Sequence, residues 1–242
     1  MKKVFLTSNM GCSEKINNKR YATPIDDSNG IIKQIKNNLS NENNLIFIVS
    51  NPLDFDKNDS YGKITLDSFN MSGFNFKNLI IIDDRYKGDL NNTIKEADLV
   101  FLAGGNTFVQ MQFFEKINLG KILENYEGVV IGQSAGAINL AKYAICAPEY
   151  EEEIGTNYIW SGLNMTNINI EPHFVLETNS ELEKRLRKEL LDLSLKYPIY
   201  AILDGTHIFD NGKEIILYGE GYLIKNKNII KLSNVGEVKI ID

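Results

Sequence analysis

Ser134 stands in the stretch with the strongest chemical signature, Gly132-Gln-Ser-Ala-Gly136. A β-branched run at 129–131 predicts a buried strand before it, and an Ala-rich stretch at 135–144 favours a helix after it. A serine on such a sharp turn is exposed above the sheet as a nucleophile, and the N–H of Ala135 points to where an oxyanion would form. The alternative is a glycine-rich turn in which Ser134 only caps the helix. The strand-to-helix position favours the nucleophile.

A glycine pair, Gly104-Gly105, follows a predicted strand at 98–103 and precedes a predicted helix. Two glycines let the backbone approach a ligand closely and expose its N–H groups. They can therefore supply a second oxyanion donor that faces Ser134. The alternative is a simple turn in which Asn106 or Thr107 caps the helix, and this motif alone favours the turn. The presence of Ser134 makes the oxyanion donor the better interpretation.

A serine hydroxyl needs a base, and the chain offers two histidines, His173 and His207. His173 follows a predicted strand that begins at residue 168 and ends near Pro172, so it is expected at the same end of the sheet as Ser134. Pro172 also fixes one backbone angle before the histidine. His207 lies at the start of a predicted antiparallel section and is interpreted as a strand or surface residue. We predict His173 as the base.

Asp204 is the first candidate for the acid that orients the histidine, because it ends a predicted strand at 199–203 and reaches the same rim. The alternative for Asp204 is an Asp-Gly pair that only makes a turn. Glu149, on an acidic loop after the nucleophile helix, is the second candidate acid. With Asp204 the chain order is serine, histidine, acid, whereas an α/β-hydrolase runs serine, acid, histidine. The α/β-hydrolase order would need Glu149 with His173, or a pairing such as Asp192 with His207, which the position of Asp192 in the middle of a predicted helix disfavours.

The elements that must position these residues alternate between strand and helix. Strands apolar on both faces call for a mostly parallel sheet covered by helices, and right-handed crossovers then give a doubly wound, three-layer α/β sandwich. Ligands bind beyond the carboxyl ends of such strands. Further strands are predicted at 4–6, 45–50 and 79–82, helices at 30–39, 64–74, 89–97 and 181–196, polar loops at 7–30 and 51–61, and antiparallel hairpins from 207 onward at one edge of the sheet.

Composition limits the functional classes. The 242 residues are 43% hydrophobic and 24% charged, typical of one globular domain at 1–242. A net charge of −6 without a basic stripe argues against nucleic acid as a partner. No apolar run approaches the roughly 20 residues that span a membrane. Two cysteines, Cys12 and Cys146, are too few for a disulfide framework and predict reduced thiols in the cytoplasm.

Three motifs in this order, Ala103-Gly-Gly-Asn-Thr-Phe108, Gly132-Gln-Ser-Ala-Gly-Ala137 and Pro172-His-Phe174, resemble those of the peptidase E family of serine peptidases. That family includes α-aspartyl dipeptidase and cyanophycinase, and its fold is similar to that of class I glutamine amidotransferases, which carry Cys at the elbow. The resemblance implies a Ser-His-acid site, with oxyanion donors at Gly104 and Gly105. It also implies a small peptide substrate and neither a metal nor an organic cofactor.

The resemblance also implies site residues at positions that differ from the family pattern or carry its specificity. Peptidase E has Glu where this chain has Asp204, which is one methylene shorter, so Glu149 stays as the alternative acid. Because peptidase E favours an N-terminal aspartate, Arg187 is the expected cation for that carboxylate, and Asn106 is a second predicted substrate contact. A surface ion pair of Arg187 with Glu183 is the alternative. We expect a monomer or homodimer. The alternative functions are an esterase and an inactive ligand-binding relative.

Overall fold

An eight-stranded sheet forms the centre of the molecule in the computed structural model, which describes residues 3–148, 153, 155, 158–178 and 180–241. The helices are α1 Ile31–Asn38, α2 Phe55–Met71, α3 Leu90–Lys95, α4 Thr107–Lys116, α5 Leu119–Leu123, α6 Ala135–Leu140 and α7 Glu181–Leu193. The strands are β1 Val4–Thr7, β2 Ser13–Ile16, β3 Lys19–Ala22, β4 Asn44–Ile48, β5 Asn78–Ile82, β6 Leu99–Leu102, β7 Val129–Gln133, β8 Tyr143–Cys146, β9 Tyr158–Ser161, β10 Ile170–Glu171, β11 Ile199–Ile202, β12 His207–Asp210, β13 Ile215–Tyr218, β14 Gly221–Lys225, β15 Asn228–Ser233 and β16 Val238–Ile241.

The parallel half of this sheet has the strand order β1-β7-β6-β4-β5. Its three inner strands are the near-continuous apolar runs around Phe47, Phe101 and Ile131, and these side chains are buried. The chain moves outward to β5 and then returns through β6 to β7, so right-handed crossovers place α1 and α2 on one face and α3 to α5 on the other. The mostly parallel central sheet between helices agrees with the sequence-based prediction.

The antiparallel half continues the same sheet through β12, β13 and β16, beyond β1. The other C-terminal strands, β14 and β15, pair with β11 and belong to a separate four-stranded sheet of order β10-β11-β14-β15. The prediction that everything after residue 207 forms hairpins at one edge of one sheet is therefore wrong. Hydrophobic patterning identified these strands, but it does not encode which sheet each one joins.

A β-hairpin, β2 with β3, occupies part of the segment that was predicted to be a polar loop at 7–30. Asn17 and Asn18 form its turn, and both have positive φ angles, 48° and 64°. Asparagine tolerates this region, and positive φ at both central positions is the signature of the tight hairpin turn that matches strand twist. Its strands are mostly polar and exposed, so the alternation that would predict them is absent.

Three helix and strand boundaries also differ from the predictions. Helix α2 begins at Phe55, inside the segment predicted as a loop at 51–61, because Asn58 is buried and donates to the Asn51 carbonyl at 3.0 Å. Helix α6 ends at Leu140 rather than at 144, and the Ala-rich propensity gives way to antiparallel pairing of β8 with β9. The strand predicted from residue 168 to about Pro172 is reduced to β10, residues 170–171.

The other predicted elements agree closely with the structure, and helix α7 carries a capping box in which Ser180 and Glu183 bond to each other's backbone. Neither Cys12 nor Cys146 takes part in a disulfide bond among the residues that the structure describes. In the part of the chain that the structure describes, no helix has both the length and the apolar character that crossing a membrane requires.

Candidate active site

Ser134 lies at the turn between β7 and α6 in a strained backbone conformation, with φ 51° and ψ −113°. A non-glycine residue with positive φ costs free energy and persists only where its surroundings enforce it. Two contacts do so: the Ser134 N–H donates to the Thr7 carbonyl at 2.9 Å, and Gly136 packs so tightly on β6 that a Cβ there would lie 2.3 Å from the Leu102 carbonyl oxygen. The small residues around Ser134 are therefore steric requirements of the turn.

His173 and Asp204 are brought together by the parallel pairing of β10 with β11. Each residue follows its strand by two positions, so both emerge at the same end of that sheet. His173 Nδ1 lies 2.7 Å from Asp204 Oδ1, and His173 Nε2 lies 3.0 Å from Ser134 Oγ. The three predicted side chains therefore form one continuous hydrogen-bonded chain. Asp204 reaches the imidazole despite being one methylene shorter than Glu.

These three side chains come from two sheets, because Ser134 follows β7 of the eight-stranded sheet whereas His173 and Asp204 follow strands of the four-stranded sheet. The expectation that all three lie above the edge of a single sheet is wrong. The ends of the two sheets adjoin, and backbone hydrogen bonds such as Gly205 N–H to the Asn9 carbonyl at 2.9 Å join them. The site therefore depends on how the two sheets pack.

Ser8, at the carboxyl end of β1, is the residue of this site that sequence reasoning missed. It is fully buried. Its Oγ donates to Asp204 Oδ1 at 2.6 Å and accepts the His173 backbone N–H at 2.7 Å. Because His173 itself has a φ of 56°, this bond holds a disfavoured backbone conformation in place. The signal in the sequence was a serine directly after a strand, which is too common to single out.

The predicted oxyanion donors lie beside the serine. A Cβ placed on Gly104 would be 3.4 Å from the Ser134 Cβ, so the turn after β6 faces the hydroxyl directly. Ala135 is the first residue of α6, and its N–H is one of those that a helix leaves without an intrahelical partner. Gly105 has a φ of 145°, and a side chain there would collide with Ser50. Gly104 and Gly105 line the same cavity as Ser134, and Ala135 follows the serine directly.

A buried network of hydrogen-bonded polar side chains supports the arrangement of Ser134 and the glycine turn. Asn139 of α6 donates to the Thr107 carbonyl at 2.9 Å and to Gln110 Oε1 at 3.1 Å, and Gln110 donates to the Ala103 carbonyl at 2.7 Å. Trp160 donates to Asn139 Oδ1 at 3.1 Å. All these groups have partners, as a buried network requires. The network fixes the glycine turn relative to the helix that carries Ser134.

Comparison with known proteins identifies the family of this chain. The family model described as peptidase family S51 matches residues 16–218, most of the chain. The chain belongs to peptidase family S51. It is therefore a serine-type peptidase, a hydrolase, as its resemblance to peptidase E implied.

Two curated relatives resemble this S51 peptidase in part of their length. An uncharacterized peptidase of Listeria monocytogenes is 29% identical over 136 residues, which is 53% of this chain and 64% of that protein. A probable alpha-aspartyl dipeptidase of Drosophila melanogaster is 27% identical over 173 residues, 67% of this chain and 68% of that protein. The chain thus matches slightly less than two thirds of the length of the first relative.

Two solved structures share the fold of this S51 peptidase. A peptidase from an acI-B1 actinobacterium superposes with a TM-score of 0.67 at 15% identity, over 100% of this chain and 97% of the other. A putative peptidase E protein from Listeria monocytogenes gives a TM-score of 0.58 at 21% identity, over 90% of this chain and 98% of the other. At these identities the likeness concerns the fold alone.

A cavity of about 310 Å³ opens beside Ser134 and His173 in this S51 peptidase. The stacked rings of Phe47 and Phe101, 5.8 Å apart, contribute to its apolar lining. Cys12 also lines it, and burial raises the pKa of that thiol to about 11, so the thiol is protonated and does not compete as a nucleophile. The cavity is at the small end of the range for ligand sites, which suits a short peptide.

Arg187 and Asn106, the predicted substrate contacts, both have defined contacts within the protein. Arg187 lies in a groove on the other side of His173, donates to the Val175 carbonyl and covers the Phe174 ring at 4.4 Å. Burial holds the pKa of its guanidinium below its usual value, but the group stays charged. Asn106 caps α4, where its Oδ1 accepts the Val109 N–H at 2.9 Å. Neither contact tests the predicted role toward substrate.

Glu149, the alternative acid, lies outside the described residues. The other histidine, His207, is fully buried within β12, and its ring is stacked on Tyr218 at 4.7 Å. Neither ring nitrogen has a hydrogen-bond partner among the residues described. Burial lowers the pKa of His207 to about 3, so the ring is neutral. His207 is thus a strand residue, as predicted, and it belongs to the core.

Proposed function

We propose that this chain hydrolyses short peptides through a Ser134-His173-Asp204 triad and a covalent acyl-enzyme. The hydrogen-bonded contacts of His173 carry this proposal: Nε2 lies 3.0 Å from Ser134 Oγ, and Nδ1 lies 2.7 Å from Asp204 Oδ1. In this arrangement the carboxylate selects the tautomer whose Nε2 is free to accept the serine proton. The order serine, histidine, acid also differs from that of α/β-hydrolases, which favours the peptidase over the esterase.

The proposed reaction follows from these contacts. His173 Nε2 takes the hydroxyl proton while Ser134 Oγ attacks the scissile carbonyl carbon. The N–H groups of Gly105 and Ala135, with Gly104 beside them, stabilise the oxyanion. The imidazolium then protonates the leaving amine, and a water molecule activated by the same nitrogen releases the acyl group. No step uses a metal ion or an organic cofactor.

For the substrate we propose a dipeptide or other short peptide, with an N-terminal Asp as the preferred residue. Support comes from the small cavity and from the name of the Drosophila relative, a probable alpha-aspartyl dipeptidase. Arg187 is the proposed cation for the aspartate side chain, with Asn106 as a further substrate contact. The Val175 carbonyl occupies one donor of the Arg187 fork, and a guanidinium has several more.

The remaining features of the proposal concern the protein as a whole. We propose a single domain at 1–242, similar in fold to class I glutamine amidotransferases but with serine in place of cysteine at the elbow. We also propose that it acts in the cytoplasm, as a monomer or homodimer, without nucleic acid or membrane as partner. Two cysteines that form no disulfide among the described residues, and a sequence without a basic stripe, support this setting.

A dipeptide library tests the proposal when wild type and Ser134→Ala are compared by mass spectrometry. We expect the wild type to cleave a subset of dipeptides and Ser134→Ala to be slower by a factor on the order of 10⁶. A fluorophosphonate probe should label wild type at Ser134 alone. Cleavage of p-nitrophenyl esters without any dipeptide would support the esterase. Folded protein that neither cleaves nor is labelled would be a ligand-binding relative, and the proposal would be wrong.

A further inference from the structure

Three cations stand around the mouth of the cavity that contains Ser134. Arg20 of β3 and Lys57 of α2 line the cavity together with Ser134 itself. Lys15 of β2, which is opposite Arg20 in the pairing of β2 with β3, lies with both of them around an adjoining surface depression that Lys19 also lines. All three side chains are exposed. We call Lys15, Arg20 and Lys57 the cationic rim.

The cationic rim has no acidic partner in the described chain. None of its three members forms an ion pair with a carboxylate of the residues that the structure describes. Arg20 donates to Ser13 Oγ at 3.1 Å. Arg20 and Lys57 approach the same ring, that of Tyr61, and both lie 5.6 Å from its centroid. Two positive charges therefore share one aromatic residue at the cavity mouth.

Repulsion between two of these cations destabilises the hairpin that carries them. Lys15 and Arg20 are directly opposite each other in the pairing of β2 with β3. Like charges at opposed positions destabilise a strand pair. This pair belongs to a sheet of only two strands, which has little stability of its own. An anion between Lys15 and Arg20 would remove the repulsion.

The acidic residue of the hairpin does not neutralise the rim. Side chains alternate between the two faces of a strand, so Glu14 projects from the face opposite Lys15 and Arg20. The protein has a net charge of −6, which makes a group of three unpaired cations beside the nucleophile a local reversal of sign. Such a reversal next to a cavity attracts anionic ligands and raises their local concentration.

We infer that the cationic rim binds a carboxylate of the peptide substrate. This inference rests on the proposed function and specifies a second determinant of its substrate class. The rim is separate from Arg187, which lies in the groove on the other side of His173. A peptide bound across Ser134 would thus meet a cation on each side. Its carboxylate at the rim comes either from an acidic side chain or from the C-terminus, since both present the same chemistry.

Four peptides distinguish these sources. They derive from one short peptide that the wild type cleaves: a form with a neutral side chain and a C-terminal amide, a form with a free C-terminus, and forms with Asp or Glu after the scissile bond and a C-terminal amide. In Arg20→Gln we expect kcat/KM for carboxylate-bearing peptides to fall about tenfold relative to that for the neutral amide, mostly through KM. The double variant Arg20→Gln/Lys57→Gln should fall further, and added salt should weaken only the wild-type preference.

Lys213→Gln is the matched control, because it removes one positive charge at the turn between β12 and β13. That turn lies at the opposite end of the strands from Ser134, since Asp210 pairs with Val4 at the amino end of β1. Lys213→Gln should leave unchanged the ratio of kcat/KM for carboxylate-bearing peptides to kcat/KM for the neutral amide. If kcat/KM of Arg20→Gln falls only for the peptide with a free C-terminus, or only for the peptides with Asp or Glu, that result identifies the source of the carboxylate. Equal changes for charged and neutral peptides would overturn the inference.

Failure of the inference is distinguishable from failure of the proposed function. If the wild type cleaves no peptide and the probe does not label Ser134, the proposed function fails. If cleavage and labelling are normal but Arg20→Gln and Lys57→Gln treat all peptides as the wild type does, only the rim is wrong. Charge reversal, Arg20→Glu, gives a second measurement: it should shift preference from carboxylate-bearing peptides to peptides with Lys or Arg at the same position.

Discussion

The two histidines of this chain lie near the same end of the central sheet and have opposite properties. His207 pairs with Thr7, one residue before Ser8, and Ser8 contacts His173. The side chain of His173 is 49% exposed, and both its ring nitrogens have hydrogen-bond partners. The His207 side chain is fully buried against Tyr218 and Phe5. Thr7 and Ser8 thus connect an exposed imidazole that has two hydrogen-bond partners with a buried imidazole that has none among the described residues.

This difference shows that a position at the end of the sheet does not by itself make a histidine a catalytic base. His173 follows the short strand β10, so its ring leaves the sheet and meets a carboxylate and a hydroxyl. His207 is inside β12, where the pleat directs its side chain into the core. Burial then disfavours the charged ring and lowers the pKa of His207 to about 3. Partners and solvent access, rather than residue type, separate the two.

After Ser134 itself, the largest expected effect among the partners of His173 is at Asp204. In Asp204→Asn the amide keeps the shape of the side chain but offers a donor as readily as an acceptor to Nδ1. The tautomer that presents a free Nε2 to Ser134 is then no longer favoured, and kcat should fall by a factor on the order of 10⁴. Steady-state kinetics with the best dipeptide measures this.

Asp192→Asn is the matched control for Asp204→Asn, because Asp192 is on the surface, where it pairs with Lys188 and Lys227. Its replacement should leave kcat unchanged. If Asp204→Asn retained activity while Glu149→Gln lost it, the acid would be Glu149 and the contact of His173 with Asp204 would have no catalytic role.

Ser8 should have a smaller effect, because it acts on the triad through His173 and Asp204. Ser8→Ala removes a donor to the carboxylate and an acceptor for the His173 N–H. Loss of these two bonds loosens a strained backbone and a catalytic carboxylate, and kcat should fall about tenfold to a hundredfold. KM should change little, and labelling of Ser134 by the serine-directed probe should slow in parallel.

Ser233→Ala separates this effect from a general loss of stability. Ser233 is also buried, and its Oγ donates to the Gly219 carbonyl at 2.6 Å, in β15 of the four-stranded sheet. Both variants should lose free energy of unfolding, but only Ser8→Ala should lose kcat. Similar kinetics for the two variants would reduce Ser8 to a structural residue.

Local patterns in the sequence predicted the contact of Ser134 with His173 and gave Asp204 as the first of two candidate acids, with Glu149 as the second. Each residue follows an apolar run, and the type of each side chain suits its neighbour. The glycines around Ser134 were also informative, because their small size is a steric requirement of the turn. Parallel strands between helices could be predicted for the same reason: apolar runs and caps are local signals.

The division into two sheets and the contribution of Ser8 could not be predicted in this way. Strand β11 has the same apolar character as the strands of the central sheet, and β10 is only two residues long, so composition does not reveal that they pair with each other. Ser8 becomes informative only when β1 is known to adjoin β7 and the two sheets are known to meet. Helix α2 began earlier than predicted because Asn58 makes its contacts through tertiary structure.

The smallest expected effect on activity is at His207, where the change should instead appear in the pH dependence of stability. The pKa of His207 is lowered to about 3 in the folded chain, against about 6.5 for a free histidine. Between these values the unfolded chain binds a proton that the folded chain does not. The free energy of unfolding should therefore decrease as the pH falls from about 6.5 towards 3, and by about pH 5 the loss should be about 2 kcal/mol.

His207→Phe removes this titration and keeps an aromatic ring in the stack with Tyr218. Urea unfolding at about pH 7.5 and about pH 5 should show that wild type loses about 2 kcal/mol more than the variant between the two conditions. Phe209→Leu is the control, because it perturbs the same core beside Phe5 and keeps the imidazole, so it should lower stability by the same amount at both pH values. Because the variant leaves the triad intact, kcat should stay within about twofold of wild type. Equal pH dependence in wild type and His207→Phe would mean that the buried ring accepts a proton in the folded state, and the contrast between the two histidines would then rest on hydrogen-bond partners alone.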